Sequence, residues 1–189
     1  GNSLYHRCAY KALNPKHEML TFRENVLLYT YGDDSEKAVK PEADWYSHNA
    51  ISKYLTDRGV PYTDADKKLI AEDYKSLEET NVLKRKFRYE PELDQYLGPL
   101  DMESIMKMTM VNVKSKTLDA AAQCVATVTS AGSELALHGR EVYDSKMADL
   151  KSALIAANIP EYWEEAELFK SWDEQVASYE ERSKGRSFF

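Results

Sequence analysis

Apolar residues recur at three- and four-residue steps along most of the chain, and no long stretch alternates apolar with polar positions. This period predicts an all-α fold of eight or nine helices in antiparallel pairs, a helical bundle or a short α-solenoid, with essentially no sheet. The pattern is densest from Thr117 to Ile159. Between Ala120 and Ser133 there is no charged residue, which predicts a helix buried on all sides. Ala122, Ala126 and Ser130 would let a neighbouring helix approach closely, while Cys124, Val128 and Leu135 supply bulk beside them. Gly132-Ser133 reads as a turn or kink. A second helix with Tyr143, Met147, Leu150 and Leu154 on one face then runs to Asn158, before Pro160.

The first helix is marked by Leu4, Cys8 and Ala12 after a Ser3 cap, and stops before Asn14-Pro15. Asn14 and Pro15 open a second, with Met19, Phe22, Val26 and Tyr29 in step and Gly32 at its end, and Gly32 to Lys40 is a charged loop. Pro41 opens a third helix whose face is Tyr46, Ala50 and Tyr54, flanked by Ile51 and Leu55 and closed by Gly59 and Pro61. Thr63 and Asp66 have cap spacing for a fourth, with Ile70, Tyr74 and Leu77 inward. After the less regular section around Pro91 and Gly98-Pro99, Asp101 caps a helix through Ile105, Met106, Thr109 and Val113. The last helix opens at Glu161, Glu164, Glu165 and Glu167, presents Phe169, Trp172, Val176 and Tyr179, and closes with Arg182, Lys184 and Arg186, complementing its dipole.

The chain has 189 residues, enough for a single all-α domain over residues 1–185 followed by an aromatic tail at 186–189. The net charge of −7 argues against bulk nucleic-acid binding, since neutralising phosphates takes a basic excess. Among its thirteen Tyr and three Trp no apolar run is long enough to span a bilayer, so no transmembrane segment is expected. Cys8 and Cys124 form no metal-ligand pair and suit a reducing compartment.

Candidate chemistry is sparse. The histidines His6, His17, His48 and His138 fall in no metal-ligand motif, and no phosphate-cradling glycine loop or nucleophile elbow occurs. The runs Asp33-Asp34-Ser35-Glu36 and Asp64-x-Asp66 resemble calcium ligands but lack the rest of an EF-hand loop, so solvated helix ends explain them. No catalytic residue, cofactor or metal is therefore assigned, and the chain reads as a non-enzyme. Partner contact is assigned to the basic run Lys84, Arg85, Lys86, Phe87 and Arg88, which could also meet an anionic surface peripherally, and to Phe188 and Phe189, whose rings a partner would bury. Met102, Met106, Met108 and Met110 form a soft patch that core packing explains.

Leu4-Tyr5-His6-Arg7 resembles the start of the LYR-motif proteins, helical subunits and assembly factors of mitochondrial complexes, although His6 intervenes where Arg normally follows Tyr. The resemblance implies an acyl-carrier-protein partner and implicates Leu4, Tyr5 and Arg7 in that contact. The turns Gly59-Val60-Pro61 and Asn158-Ile159-Pro160 are similar to the inter-repeat turn of pentatricopeptide proteins, with one residue fewer before Pro. Both resemblances imply a mitochondrial setting; without them the chain reads as cytoplasmic. The expectation is a non-catalytic accessory subunit of a multisubunit assembly, such as an ATP synthase or respiratory complex, whose partners are other protein subunits. The alternatives are a helical enzyme or small-ligand carrier with a pocket near His138, Tyr143 or the methionines, and an RNA-contacting helical repeat using Lys84 to Arg88.

Overall fold

Residues Val26–Tyr31 form a strand, and the chain is a mixed α/β protein, with three small two-stranded sheets among the described residues, not an all-α one. The computed structural model describes residues 2–184 apart from 17, 66, 69–71 and 112, and leaves the side chains of 165, 166, 183 and 184 aside. Two compact units divide it, Gly1–Leu83 and Lys84–Phe189.

The first unit runs from helix α1 (Asn2–Leu13) through a 3-10 turn (Met19–Thr21) and a one-turn helix α2 (Phe22–Asn25) into strands β1 (Val26–Tyr31) and β2 (Asp34–Val39). A 3-10 turn (Pro41–Ala43), helix α3 (His48–Thr56), a second 3-10 turn (Leu77–Glu79) and strand β3 (Asn81–Val82) follow. The predicted helix from Pro15 to Tyr31 fails at Val26 for a physical reason. All but one of Val26-Leu27-Leu28-Tyr29-Thr30-Tyr31 are apolar, so a helical step can be read through a run whose β-branched and aromatic residues favour a strand. Strands β1 and β2 pair antiparallel with Val26 opposite Val39 and Tyr31 opposite Asp34. Val26 is buried and Leu28 half-buried, while Leu27, Tyr29 and Tyr31 stand exposed on the other face, the two-residue alternation of a sheet with one covered side.

The covered side lies on a core built from Ala9, Tyr10, Phe22, Tyr46, Ile51 and Leu55. Tyr10 is its centre, with ring centroids 4.8 Å from Trp45, 5.1 Å from Phe22 and 5.3 Å from Tyr46. Its hydroxyl takes a 2.9 Å hydrogen bond from Asn25, which removes the cost of burying it. Ser47 caps α3 by accepting from the Ala50 amide, so the helix starts later than Pro41 predicted. No helix is formed by the described residues between Thr63 and Ser76, where one was expected; Asp66 and Ile70 lie outside the described residues. Tertiary bonds hold that segment instead: Asp73 accepts from the Asn49 amide at 3.2 Å and Tyr74 donates to the Asp44 carbonyl at 2.6 Å.

The second unit opens with β4 (Arg85–Lys86), a hairpin of β5 (Arg88–Glu90) and β6 (Gln95–Leu97), and helix α4 (Met102–Met110), capped by Asp101 as predicted. Helices α5 (Ala120–Leu135) and α6 (Arg140–Ala157), then α7 (Glu165–Leu168) and α8 (Trp172–Lys184), complete it. Helix α5 passes unbroken through Gly132, because the missing side chain admits Met147, whose Cε would lie 3.2 Å from an added Cβ. The break falls at Gly139, where φ is +96°. Only one face of α5 is buried, at Val128, Ala131, Gly132 and Leu135, so the uncharged stretch is not enclosed on all sides. The expected final helix is interrupted where Ser171 and Glu174 bond each other's amides, restarting the chain as α8. Trp172 donates to the Ala136 carbonyl at 2.9 Å and Tyr143 to the Lys170 carbonyl at 2.7 Å, tying α8 and the preceding loop to the α5–α6 pair. Met102 and Met108 pack on this core, whereas Met106 and Met110 are exposed.

Leu135 is 2% exposed within that core. Leu135→Ala is expected to lower unfolding free energy by about 2–5 kcal/mol, against roughly 0.5 kcal/mol or less for the exposed Leu118→Ala, read from urea midpoints at unchanged slope.

Candidate functional site

The turn joining β1 to β2 puts two adjacent carboxylates at the tip of a hairpin. With Tyr31 opposite Asp34, only Gly32 and Asp33 are left to reverse the chain. Gly32 adopts φ +59° while Asp33 keeps a negative φ, the pattern of a type II′ turn, whose first central position calls for glycine. Asp33 and Asp34 are both exposed, and among the described residues no ion pair engages either carboxylate. The sequence pattern instead presents Gly32 as a helix end and residues 32–40 as a charged loop. The signal that identifies the turn is Gly-Asp between a β-branched, aromatic run and a second extended segment.

Helix α1 holds this turn from behind. The Asn2 side-chain amide donates to the carbonyl oxygens of Asp33 at 3.0 Å and Asp34 at 3.2 Å. One helical turn later the fully buried His6 places Nε2 3.1 Å from Ser35 Oγ and Nδ1 3.1 Å from Tyr46 Oη. Ser35 Oγ lies 3.0 Å from Tyr62 Oη, to which Lys37 donates at 3.1 Å. Burial, and then the Lys37 charge, push the His6 pKa down to about 4. Burial and then the Tyr62 hydroxyl raise that of Tyr46, and burial raises that of Glu36.

A cleft of about 440 Å³ runs along the Asp33–Lys37 side of the hairpin and is closed by residues from 61–65 and 72–82. Its walls mix Glu36, Asp64 and Asp73 with Lys37, Lys67 and Lys75, and Lys75 lies 3.5 Å from Asp64. Hydrogen bonds from Ser47 and Asn49 hold Asp73 below the usual carboxylate range. Burial, followed by Lys37, lowers the pKa of His48. Among the described residues no three His, Cys, Asp or Glu side chains are grouped to hold a metal ion.

The residues expected to meet partners fall in both units. Leu4 and Tyr5 are exposed on α1, while the Arg7 guanidinium lies over the Phe22 ring at 4.7 Å. Arg85 makes a two-pronged ion pair with Glu134 at 2.7 and 2.8 Å and also donates to the Gly98 carbonyl. Arg88 donates to Glu90 at 2.7 Å, and Phe87 is half-buried beside Gly98. Lys84 and Lys86 remain exposed. Phe188 and Phe189 lie outside the described residues. His138 has Nε2 2.8 Å from the Leu100 carbonyl.

A family model described as "Viral RNA-dependent RNA polymerase" matches residues 2–155. The replicase polyprotein of Drosophila C virus is 33% identical over 144 residues, 76% of this chain and 8% of the polyprotein. The RNA1 polyprotein of Beet ringspot virus is 32% identical over 190 residues, 90% of this chain and 8% of its own length. The genome polyprotein of Rice tungro spherical virus (strain A) is 31% identical over 153 residues, 78% of this chain and 4% of the polyprotein. The chain thus spans less than a tenth of these relatives.

These matches overturn the resemblance to LYR-motif and pentatricopeptide proteins and, with it, the mitochondrial accessory subunit, the helical repeat, the non-enzyme reading and the restriction to protein partners. The tetrapeptide Leu4 to Arg7 is instead part of α1, with His6 turned into the core and Arg7 over Phe22. The two Pro turns are helix ends of a general kind. The enzyme and RNA-contacting alternatives lie nearer to the family match than the main expectation did. No described helix is long and apolar enough to cross a membrane.

His6 binds a proton with pKa about 4 when folded and near 6.5 when unfolded, so the unfolded chain holds more protons between these values and stability rises with pH. The stabilisation is complete above pH 6.5 and is lost as pH falls toward 4, about 3 kcal/mol in all. Urea midpoints measured from pH 7 to 4 are expected to fall, and to fall less steeply in His6→Phe.

Proposed function

Because this chain belongs to the family of viral RNA-dependent RNA polymerases, we propose that it supplies the carboxylate turn at which such an enzyme joins nucleotides. The observation that carries this reading is the hairpin with Asp33 and Asp34 exposed at its tip and its backbone tied to α1. In RNA synthesis a 3′-hydroxyl oxygen forms a bond to the α-phosphorus of a nucleoside triphosphate, the bond to pyrophosphate breaks, and the hydroxyl proton is lost. Negative charge is concentrated on the attacking and leaving oxygens as this happens.

The donor set fits a hard divalent cation. Two carboxylates on an exposed turn are what Mg²⁺ takes from a protein that leaves its other positions to water and substrate phosphates. Asp33 and Asp34 would hold it, and when bound it would offset charge on the reacting oxygens and orient the triphosphate. The protein's own part is to hold the turn that carries these carboxylates while engaging neither in an ion pair among the described residues. A short II′ turn and the Asn2 bonds do this without placing a cation beside them. The chain is a small part of its relatives, so template, triphosphate and further ligands would be met in part by residues outside it.

Template and product strands present phosphates, for which Lys84 and Lys86 are the accessible cations of the basic run, Arg85 and Arg88 being paired with Glu134 and Glu90. The working place implied by this reading is the cytoplasm of an infected cell, which suits the two exposed free thiols Cys8 and Cys124.

In the polymerase that carries this chain, Asp33→Asn and Asp34→Asn are each expected to lower primer extension ~10³-fold, the several kcal/mol that metal-assisted charge stabilisation provides. RNA affinity should change little. Full extension activity in both variants would exclude the proposal.

A further inference from the structure

Every donor in the chain of side chains behind the carboxylate turn is fixed by its two ends. At one end Lys37 is an ammonium and only donates, so Tyr62 Oη accepts from it at 3.1 Å. At the other end Tyr46 Oη donates its one hydrogen to the backbone carbonyl of His6 at 2.8 Å, which can only accept. The Tyr46 oxygen is then the acceptor of the 3.1 Å contact with His6 Nδ1, and Nδ1 must carry the ring hydrogen. Nε2 is therefore bare and accepts the Ser35 hydroxyl, and Ser35 in turn accepts the Tyr62 hydroxyl. All five bonds run in one direction, and each group meets its partner in the one sense its chemistry permits.

We propose that His6, in its neutral Nδ1–H form, is a positioning residue for the Asp33–Asp34 carboxylates, acting through Ser35. Ser35 is the residue that follows Asp34 on β2, so fixing its hydroxyl fixes the strand at the point where the turn ends. Asn2, one helical turn before His6 on α1, fixes the carbonyls of Asp33 and Asp34 themselves. One helix face thus anchors three consecutive residues, 33, 34 and 35, while leaving both acidic side chains free to face solvent. The ring is further restrained by an edge-to-face contact with Tyr62 at 5.4 Å, and Tyr62 by a 2.6 Å bond from Ser52 to its carbonyl. This inference rests on the assignment of Asp33 and Asp34 as metal-holding groups.

The test uses the polymerase that carries this chain, with Ser35→Ala, Ser35→Thr, His6→Phe, Asp33→Asn and Asp34→Asn, reading kcat, nucleotide KM, half-saturating Mg²⁺ and melting temperature for each. Ser35→Ala is expected to lower kcat about tenfold and raise half-saturating Mg²⁺ several-fold at unchanged nucleotide KM, since small displacements of reacting groups are costly. Ser35→Thr keeps the hydroxyl and should restore both. His6→Phe should match Ser35→Ala; if it does not fold, the two Ser35 variants decide. Unchanged kcat in Ser35→Ala, or a fall that follows the loss of folded protein with the Mg²⁺ requirement unmoved, would overturn the positioning role. Activity retained in both aspartate variants would instead remove the assignment beneath it.

Discussion

Two residues reverse the chain between β1 and β2, and the first unit is arranged to keep that reversal in place. A two-residue loop needs a left-handed φ at its first position, which costs an ordinary L residue roughly 1–2 kcal/mol and glycine almost nothing. Gly32 meets that need at φ +59°. The turn then exposes two carbonyls and two carboxylates. Asn2 takes the carbonyls. The carboxylates remain outward, with the sheet's covered face beneath them held by Val26 and Leu28 on the aromatic core around Tyr10. Core packing places α1, and α1 in turn places the turn.

The polar chain through His6 shows why buried polar groups suit this task better than apolar ones. A Leu in place of His6 could fill volume, but it would not fix the rotation of Ser35 or Tyr62. A satisfied hydrogen-bonded chain admits a single arrangement, and at its buried end, His6 and Tyr46, a missing member leaves a desolvated partner that costs about 1–3 kcal/mol. The same economy governs the second unit. Arg85 and Arg88 bind Glu134 and Glu90, and Arg140 joins Glu92 and Asp173 while lying 4.4 Å over the Trp172 ring. Two of the four cations in the run Lys84 to Arg88 are thus committed to holding the protein together, and Lys84 and Lys86 stay exposed.

One helix start was legible from its side-chain cap, whereas Ser47, which caps α3, lies behind a Pro41 that reads as the start. Asp101 caps α4 as expected, and the Tyr143, Met147 and Leu154 face of α6 is buried. Strands were not, because Val26 to Tyr31 offers apolar residues at every helical and every strand step except Thr30. Period alone cannot separate the two, and only the Gly-Asp turn signal does. Missing the strand also hid the site. Read as the end of a helix, Gly32 made Asp33 and Asp34 a solvated loop; read as a hairpin, it puts both on one tip. His6 was beyond sequence reasoning, since Tyr46, Ser35 and Tyr62 approach it from positions 29 to 56 residues away.

The most direct measurement is anomalous diffraction from crystals of the intact polymerase soaked in Mn²⁺, an oxygen-seeking stand-in for Mg²⁺. A peak within about 2.5 Å of carboxylate oxygens of Asp33 and Asp34 is the expected result, given the coordination distances of hard divalent cations. A peak held only by Asp64, Asp73 or other cleft carboxylates, with none at the turn, would contradict it.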